Sequence, residues 1–236
     1  MNIEKILAEL SRSVGEIDFD DPVHTVYNPL GYALQAHLAF WKRFGKPKKE
    51  AVFLGMNPGP WGMAQTGVPF GEVAAVRGWM GLEVEVGKPP NEHPKRPVMG
   101  LDCTRSEVSG GRLWGWANAR FGAPEDFFSR FFVVNYCPLI FLEESGRNRT
   151  PDKLNVAKRQ ELFAPCDEAL KRYVDYLETK LVIGVGRFAA ERALSVFEGS
   201  DVRVERVSHP SPANPAANRG WAALVERELE AMGVKI

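Results

Sequence analysis

Apolar residues recur at helical spacing at Ile3, Ile6, Leu7, Leu10 and Val14, which predicts an amphipathic helix lying on the body of the fold. The acidic stretch Ile17 to Pro22 breaks it. Leu30, Leu34, Leu38 and Trp41 mark one face of a second helix that stops at Gly45, with His37 beside that face as a packing residue. The Lys46 to Lys49 run that follows reads as a solvated turn. Four segments then read as strands: AVFLG (51–55), FFVVNYCPL (131–139), KLVIGVG (180–186) and VRVERVSHP (202–210). Helical patterns lie between and after them: Val73 to Met80, LWGWANARFG with Trp114 and Trp116 turned to the core, 155–178 with a kink expected at Pro165, 187–198, and 218–232. Strands alternating with helices predict an α/β fold with a short four-stranded parallel sheet covered on both faces, a three-layer α/β/α sandwich. One such domain spans 1–236, with a helical segment over about 1–26.

Charge changes little in this picture. The 30 basic residues equal the 30 acidic ones, so no overall field draws the chain to nucleic acid or a membrane, and phosphate binding needs a local patch. One exists between the second and third segments: Lys95, Arg96, Arg105 and Arg112 crowd a long Gly- and Pro-rich stretch, either to meet phosphates or as solvated loop charge. The three cysteines, Cys103, Cys137 and Cys166, are widely spaced and form no CxxC, which argues against a disulfide framework, a zinc site or an iron–sulfur cluster. No run approaches the roughly 20 apolar residues of a membrane span. These features predict a soluble intracellular protein.

The candidate chemistry gathers at strand ends, where α/β sheets keep their ligands. Ala51 to Val73 reads AVFLGMNPGPWGMAQTGVPFGEV, so the first predicted strand runs into an Asn-Pro-Gly-Pro turn and must leave the sheet abruptly. Small residues then alternate with Trp61, Met63 and Phe70, a pattern that lets backbone approach a flat guest while large side chains wall it in. Two other strands end in Asn135 and His209. Two amides and an imidazole converging on one rim suggest a shared site. The GVGRFA sequence lacks the full glycine pattern of a dinucleotide loop.

GMNPGPWGMAQTGVPFGEV and HPSPANPAANRGW closely resemble the two signature motifs of the single-strand-selective monofunctional uracil-DNA glycosylases, and CTRSEVSGGRLWGW, NYCPLIFLEESGRNRTP and LVIGVGR extend the resemblance from about residue 27 to the end. It implies the uracil-glycosylase fold and excision of uracil from single- and double-stranded DNA, releasing free uracil, with no metal or cofactor. Such an enzyme must rotate the nucleotide out and read its Watson–Crick edge. A side-chain amide matches uracil, its oxygen taking N3–H and its NH₂ giving to O4, and Asn135 is the candidate. By the resemblance Phe70 stacks on the ring, Met56 joins the base pocket, and Gly59 and Met63 border the C5 edge. His209 suits the charge developing on O2, and Asn57 resembles the residue that positions the water. Pro60, Ser208, Pro210, Ser211, Pro212, Ala213, Asn214 and Arg219, with Arg96 and Arg105, are the expected DNA contacts. Neither signature motif contains a lysine, so no amine is evident for strand cleavage.

Two departures stand out. Ala213 replaces the arginine that follows HPSP in vertebrate members, and Trp61 replaces their phenylalanine, altering the pocket floor or filling space. Competing readings are release of deaminated purines such as xanthine or hypoxanthine, a DNA lesion binder without turnover, and a hydrolase using Ser211 beside His209. The expected state is a monomer in the cytoplasm, associated with the nucleoid in a bacterium, or in the nucleus of a eukaryote.

Overall fold

Five-residue runs of Val, Phe, Leu and Ile form the centre of the molecule, whose computed structural model describes residues 2–236. In chain order the elements are α1 (Ile3–Gly15), β1 (Thr25–Tyr27), α2 (Pro29–Tyr32), α3 (Leu34–Phe44), β2 (Ala51–Gly55), α4 (Met63–Thr66), α5 (Val108–Phe121), α6 (Pro124–Arg130), β3 (Phe131–Asn135), β4 (Ile140–Leu142), β5 (Asn148–Arg149), α7 (Val156–Leu177), β6 (Leu181–Val185), α8 (Arg187–Val196), β7 (Arg203–Val207) and α9 (Trp221–Ala231). The parallel sheet has the order β3-β2-β6-β7. β3, β2 and β6 are apolar except for Asn135 at the end of β3, because helices cover both faces.

Strand alternation sorts the two layers. Phe53 points to Trp116 of α5 and Phe127 of α6, and Trp116 meets Trp221 of α9. Phe132 points the other way, to Phe40 and Trp41 of α3, and Trp41 packs on Tyr173 of α7. α8 lies so close to β6 that a Cβ on Gly184 would meet the backbone of Ala190. Asn135 pairs with Gly55 two residues beyond the Val133–Phe53 pair, so it faces the α5 layer.

Several boundaries differ from the sequence reading. The second predicted strand, FFVVNYCPL, is a strand only to Asn135; the NYCP turn follows, and Ile140–Leu142 joins β1 and β5 in a separate antiparallel sheet. Val73 to Met80 contains a wide π-helical turn, Ala75–Trp79. α7 runs through Pro165 without ending, held by the buried Leu162, Cys166, Ala169 and Leu170 around it. Lys49 is not solvated: it is buried and its Nζ donates to the Phe128 carbonyl, and burial lowers its pKa to about 8.

The long segment after Met80 is ordered by buried polar groups rather than by a core of its own. The Tyr27 hydroxyl accepts from the His93 N–H at 2.7 Å and donates to the Arg96 carbonyl at 2.8 Å. The fully buried Gln65 donates to the Pro60 and Pro97 carbonyls at 2.9 and 3.0 Å and accepts from Met99 N–H at 2.8 Å. Together these five bonds tie the basic segment to β1 and to the loop after β2.

His37 is a packing residue, as its position suggested. Its Nδ1 donates to the Gly67 carbonyl at 2.6 Å and Nε2 accepts from the Trp41 indole at 2.9 Å, which fixes the neutral tautomer. Burial lowers its pKa from 6.5 to about 4, despite the Gly67 carbonyl. Below pH 6.5 the unfolded chain therefore takes up a proton that the folded chain refuses, so this stabilisation is complete above pH 6.5 and is lost as pH falls. The loss reaches about 3 kcal/mol near pH 4.5. Urea unfolding should show the stability gap between wild type and His37→Gln narrowing from pH 7.5 to 4.5; a constant gap would contradict the assignment.

Candidate active site

The C-terminal ends of β2, β3 and β7 open onto one cavity of about 430 Å³, lined among others by Met56, Asn57, Gly59, Pro60, Phe70, Asn135, His209 and Ser211. β2 is where the chain order reverses, since β3 lies on one side of it and β6 on the other, and such a point opens a crevice. The residues predicted from separate parts of the sequence thus share one space.

Each side chain is held by local bonds that leave one functional atom available. Asn57 Nδ2 donates to the Leu139 carbonyl at 3.1 Å, and its Oδ1 accepts nothing from the described residues. Asn135 is buried, with Nδ2 3.3 Å from Met63 Sδ. Phe70 has a left-handed backbone, φ 54°, an uncommon state for a large side chain. α5 accounts for it: the Trp114 indole donates to the Phe70 carbonyl at 3.0 Å, and a Cβ on Gly110 would collide with that carbonyl. The ring lies 6.0 Å from the His209 ring.

His209 follows a residue tied at three points. Ser208 N–H and Oγ both donate to the Glu228 carboxylate at 2.7 Å, and the Trp221 indole donates to the Ser208 carbonyl at 2.7 Å. A backbone donor, Ser211 N–H, bonds His209 Nδ1 at 3.0 Å, so Nδ1 accepts and the neutral ring carries its proton on Nε2. Burial lowers the His209 pKa to about 4, which keeps the ring neutral near pH 7. Ser211 Oγ accepts from Ala213 N–H at 3.1 Å and makes no bond to His209, the wrong arrangement for a serine nucleophile.

The loop from Ser208 to Asn218 is stiffened throughout. Asn214 Nδ2 donates to the His209 carbonyl at 3.0 Å, Asn218 Nδ2 to the Pro212 carbonyl at 2.8 Å, and Arg112 to the Pro210 carbonyl and Asn218 Oδ1, both at 2.9 Å. Arg112 is therefore a loop brace rather than a free cation.

A model of the uracil DNA glycosylase superfamily matches residues 42–228. The single-strand selective monofunctional uracil-DNA glycosylase of Rattus norvegicus is 48% identical over 227 residues, covering 95% of this chain and 82% of its own. Those of Mus musculus and Bos taurus are also 48% identical over 95% of this chain, covering 81% and 84% of theirs. The chain belongs to this uracil-DNA glycosylase family. The wild-type SMUG2 protein of Pedobacter heparinus has the same fold, with a TM-score of 0.66 over 97% of both chains at 15% identity.

Of the catalytic and base-contacting residues predicted from sequence, all but Met63 line the glycosylase cavity, and of the predicted DNA contacts Pro60 and Ser211 do. Met63 does not line it but lies behind Asn135. Ser208 is occupied by Glu228, and Arg219 is exposed at the end of the loop. Trp61 is not the pocket floor; its ring lies beside Arg96 and Arg105. Five lining residues carried no assignment from sequence: Pro58, Glu107, Ser109, Asn148 and Thr150. Glu107 caps α5, accepting from Ser109 and Gly110 N–H at 3.2 and 2.7 Å. Burial pushes its pKa up against those donors. A lone acid ahead of a helix signals a cap in sequence, but only packing against Gly59 and Gly62 turns it toward the cavity. Among the described residues no group of three or more acid, Cys or His side chains could hold a metal, and no helix is long and apolar enough to cross a membrane.

Proposed function

We propose that this protein hydrolyses the N-glycosidic bond of deoxyuridine in DNA, leaving an abasic site and free uracil. The observation that carries the reading is the convergence of Asn57, Asn135, His209 and Phe70 on one cavity large enough for a flipped base.

Phe70 offers a ring face for stacking, held from behind by α5. Asn135 presents one amide to the Watson–Crick edge, Oδ1 accepting N3–H and Nδ2 donating to O4. Met63 already draws Nδ2 to its side from behind, which orients the amide before the base arrives, and Gly59 borders the C5 edge. Cytosine reverses both groups and leaves each mispaired, at about 1 to 3 kcal/mol apiece.

When the C1′–N1 bond breaks, its electron pair moves into the base and appears as negative charge on O2. The neutral His209 donates Nε2–H to that oxygen, while its Nδ1 stays bonded to Ser211. Asn57 Oδ1 accepts a hydrogen bond from the attacking water and aims its lone pair at C1′. An amide takes no proton, so the sugar cation forms largely before water arrives and the released uracil anion is neutralised from solution. The braced Pro-rich loop meets the DNA in a fixed shape, which reduces the ordering cost of binding. Pro212 and Ala213 are exposed and form its contact surface, whereas Pro210, an expected DNA contact, is buried with its carbonyl held by Arg112; Pro60 borders the cavity, and Ala213 puts only a methyl where a flipped base leaves a gap. The protein works as a monomer in the compartment that holds DNA.

The test is release of free uracil from single- and double-stranded oligonucleotides in EDTA, beside matched substrates carrying xanthine, hypoxanthine or cytosine. Multiple turnovers of uracil release are expected; none would defeat the reading. In the same assay Asn135→Ala should lower uracil release at least about tenfold, the scale of one mispaired buried group. Asn135→Asp should shift preference toward cytosine, whose exocyclic amine a carboxylate accepts. Unchanged discrimination in both would remove Asn135 as the reader.

A further inference from the structure

We propose that Arg96, Trp61 and Arg105 form one preassembled phosphate site that grips the DNA strand beside the extruded nucleotide, with Trp61 as the organiser. The inference rests on the glycosylase reading, because it takes DNA to occupy the cavity.

Two guanidinium groups flank a single indole: Arg105 Cζ lies 4.8 Å and Arg96 Cζ 5.3 Å from the centre of the Trp61 ring. Like charges gathered around one side chain repel each other unless an acid lies among them. Here neither arginine forms an ion pair among the described residues, although most other arginines away from the cavity rim do. The negative face of the indole offsets part of the repulsion and keeps both cations in place. Arg96 Nε is moreover buried with no hydrogen-bond partner, so this side chain retains unused donor capacity. Its one described bond is from Nη1 to the Lys95 carbonyl at 2.9 Å.

The cluster is also fixed relative to the cavity. Trp61 directly follows Pro60, a lining residue, and Gln65 binds the Pro60 and Pro97 carbonyls together on either side of the cluster. Tyr27 holds the Arg96 carbonyl from the second sheet. Two guanidinium groups without an acid partner beside the rim of a base pocket, with Arg96 Nη2 and the Arg105 fork making no described hydrogen bond, match a phosphodiester, which accepts bidentate bonds from arginine. A phenylalanine at position 61 offers a smaller ring face for the same purpose, so the tryptophan of this chain is a gain in span rather than a change of pocket floor.

The experiment uses single-stranded oligonucleotides containing 2′-fluoro-deoxyuridine, which resists cleavage, with each phosphodiester near it replaced in turn by a neutral methylphosphonate. Wild-type protein should lose about tenfold in affinity when one particular linkage next to the modified nucleotide is neutralised. In Arg96→Gln/Arg105→Gln that replacement should have no further effect, and the slope of log affinity against log salt should fall by about 0.7, the value for one phosphate on a single strand. Trp61→Leu should reproduce most of the loss, and Trp61→Phe should recover much of it. A double variant that keeps the wild-type slope and the wild-type response to neutralisation would overturn the proposal. Uracil release by wild-type protein from the ordinary oligonucleotide is measured alongside: its absence would count against the glycosylase reading, whereas its presence with an unchanged double variant would count against the phosphate site alone.

Discussion

Replacing His209 with alanine is expected to slow single-turnover uracil release by about 100-fold or more, the usual effect of losing one donor to a developing oxyanion. The structure supplies the reason for expecting so much from a neutral side chain. Nδ1 is committed to Ser211 N–H, Ser208 is tied by Glu228 and Trp221, and the ring is buried enough to hold its pKa at about 4. The Nε2–H donor is therefore in place, correctly protonated, before the bond begins to break. The same facts predict a wild-type rate that does not follow an ordinary histidine titration: single-turnover rates should stay flat from pH 8 down to about pH 5.5. Asn57→Ala should cost at least about tenfold by loosening the water. Wild-type rates in His209→Ala, or a rate that halves near pH 6.5 and moves with changes at His209, would show that the imidazole does some other work.

The second large effect is expected at a residue with no side chain. Gly55 pairs in register with Asn135, and a Cβ there would collide with Asn135 Oδ1 and approach Phe70 Cε2 to 2.6 Å. The strand pair leaves a methyl-sized notch, and the base reader and the stacking ring both extend into it. Gly55→Ala should therefore turn the amide and displace the ring together, for a combined loss of about 3 kcal/mol in transition-state binding, or about 100-fold in kcat/KM. Alanine in a strand otherwise favours folding over glycine, so a variant that unfolds normally in urea but has lost kcat/KM identifies the notch as part of the recognition site. Full activity in Gly55→Ala would mean that Asn135 and Phe70 tolerate displacement and do not read the base as described.

Much of the fold was legible because each central segment is consistent with itself. AVFLG, FFVVN and LVIGV are apolar on both sides, which only a sheet covered on two faces explains, and the helix patterns between them left a parallel arrangement as the simple solution. The second sheet was not legible. β1, β4 and β5 are two or three residues each, too short for a period to show, and they form only because Ile140 to Leu142 are buried against the strand at Thr25. Lys49 was misread for a related reason: nothing in a run of lysines reveals that one of them packs its stem inward on Phe132 and donates to Phe128.

The amino-acid sequence by itself determined the central chemical groups of the site, though not Glu107 or Asn148, because two amides and an imidazole placed at strand ends, each close to a proline turn, have one edge of the sheet on which to meet. Tertiary structure alone decided what those groups are able to do. The tautomer of His209, the direction of the Asn135 amide and the gathering of Arg96 and Arg105 around Trp61 depend on Ser211, Met63 and Gln65, through contacts between atoms rather than spacing along the chain. Hydrogen-bond direction and local charge vary over a few ångströms, a distance that linear order does not encode.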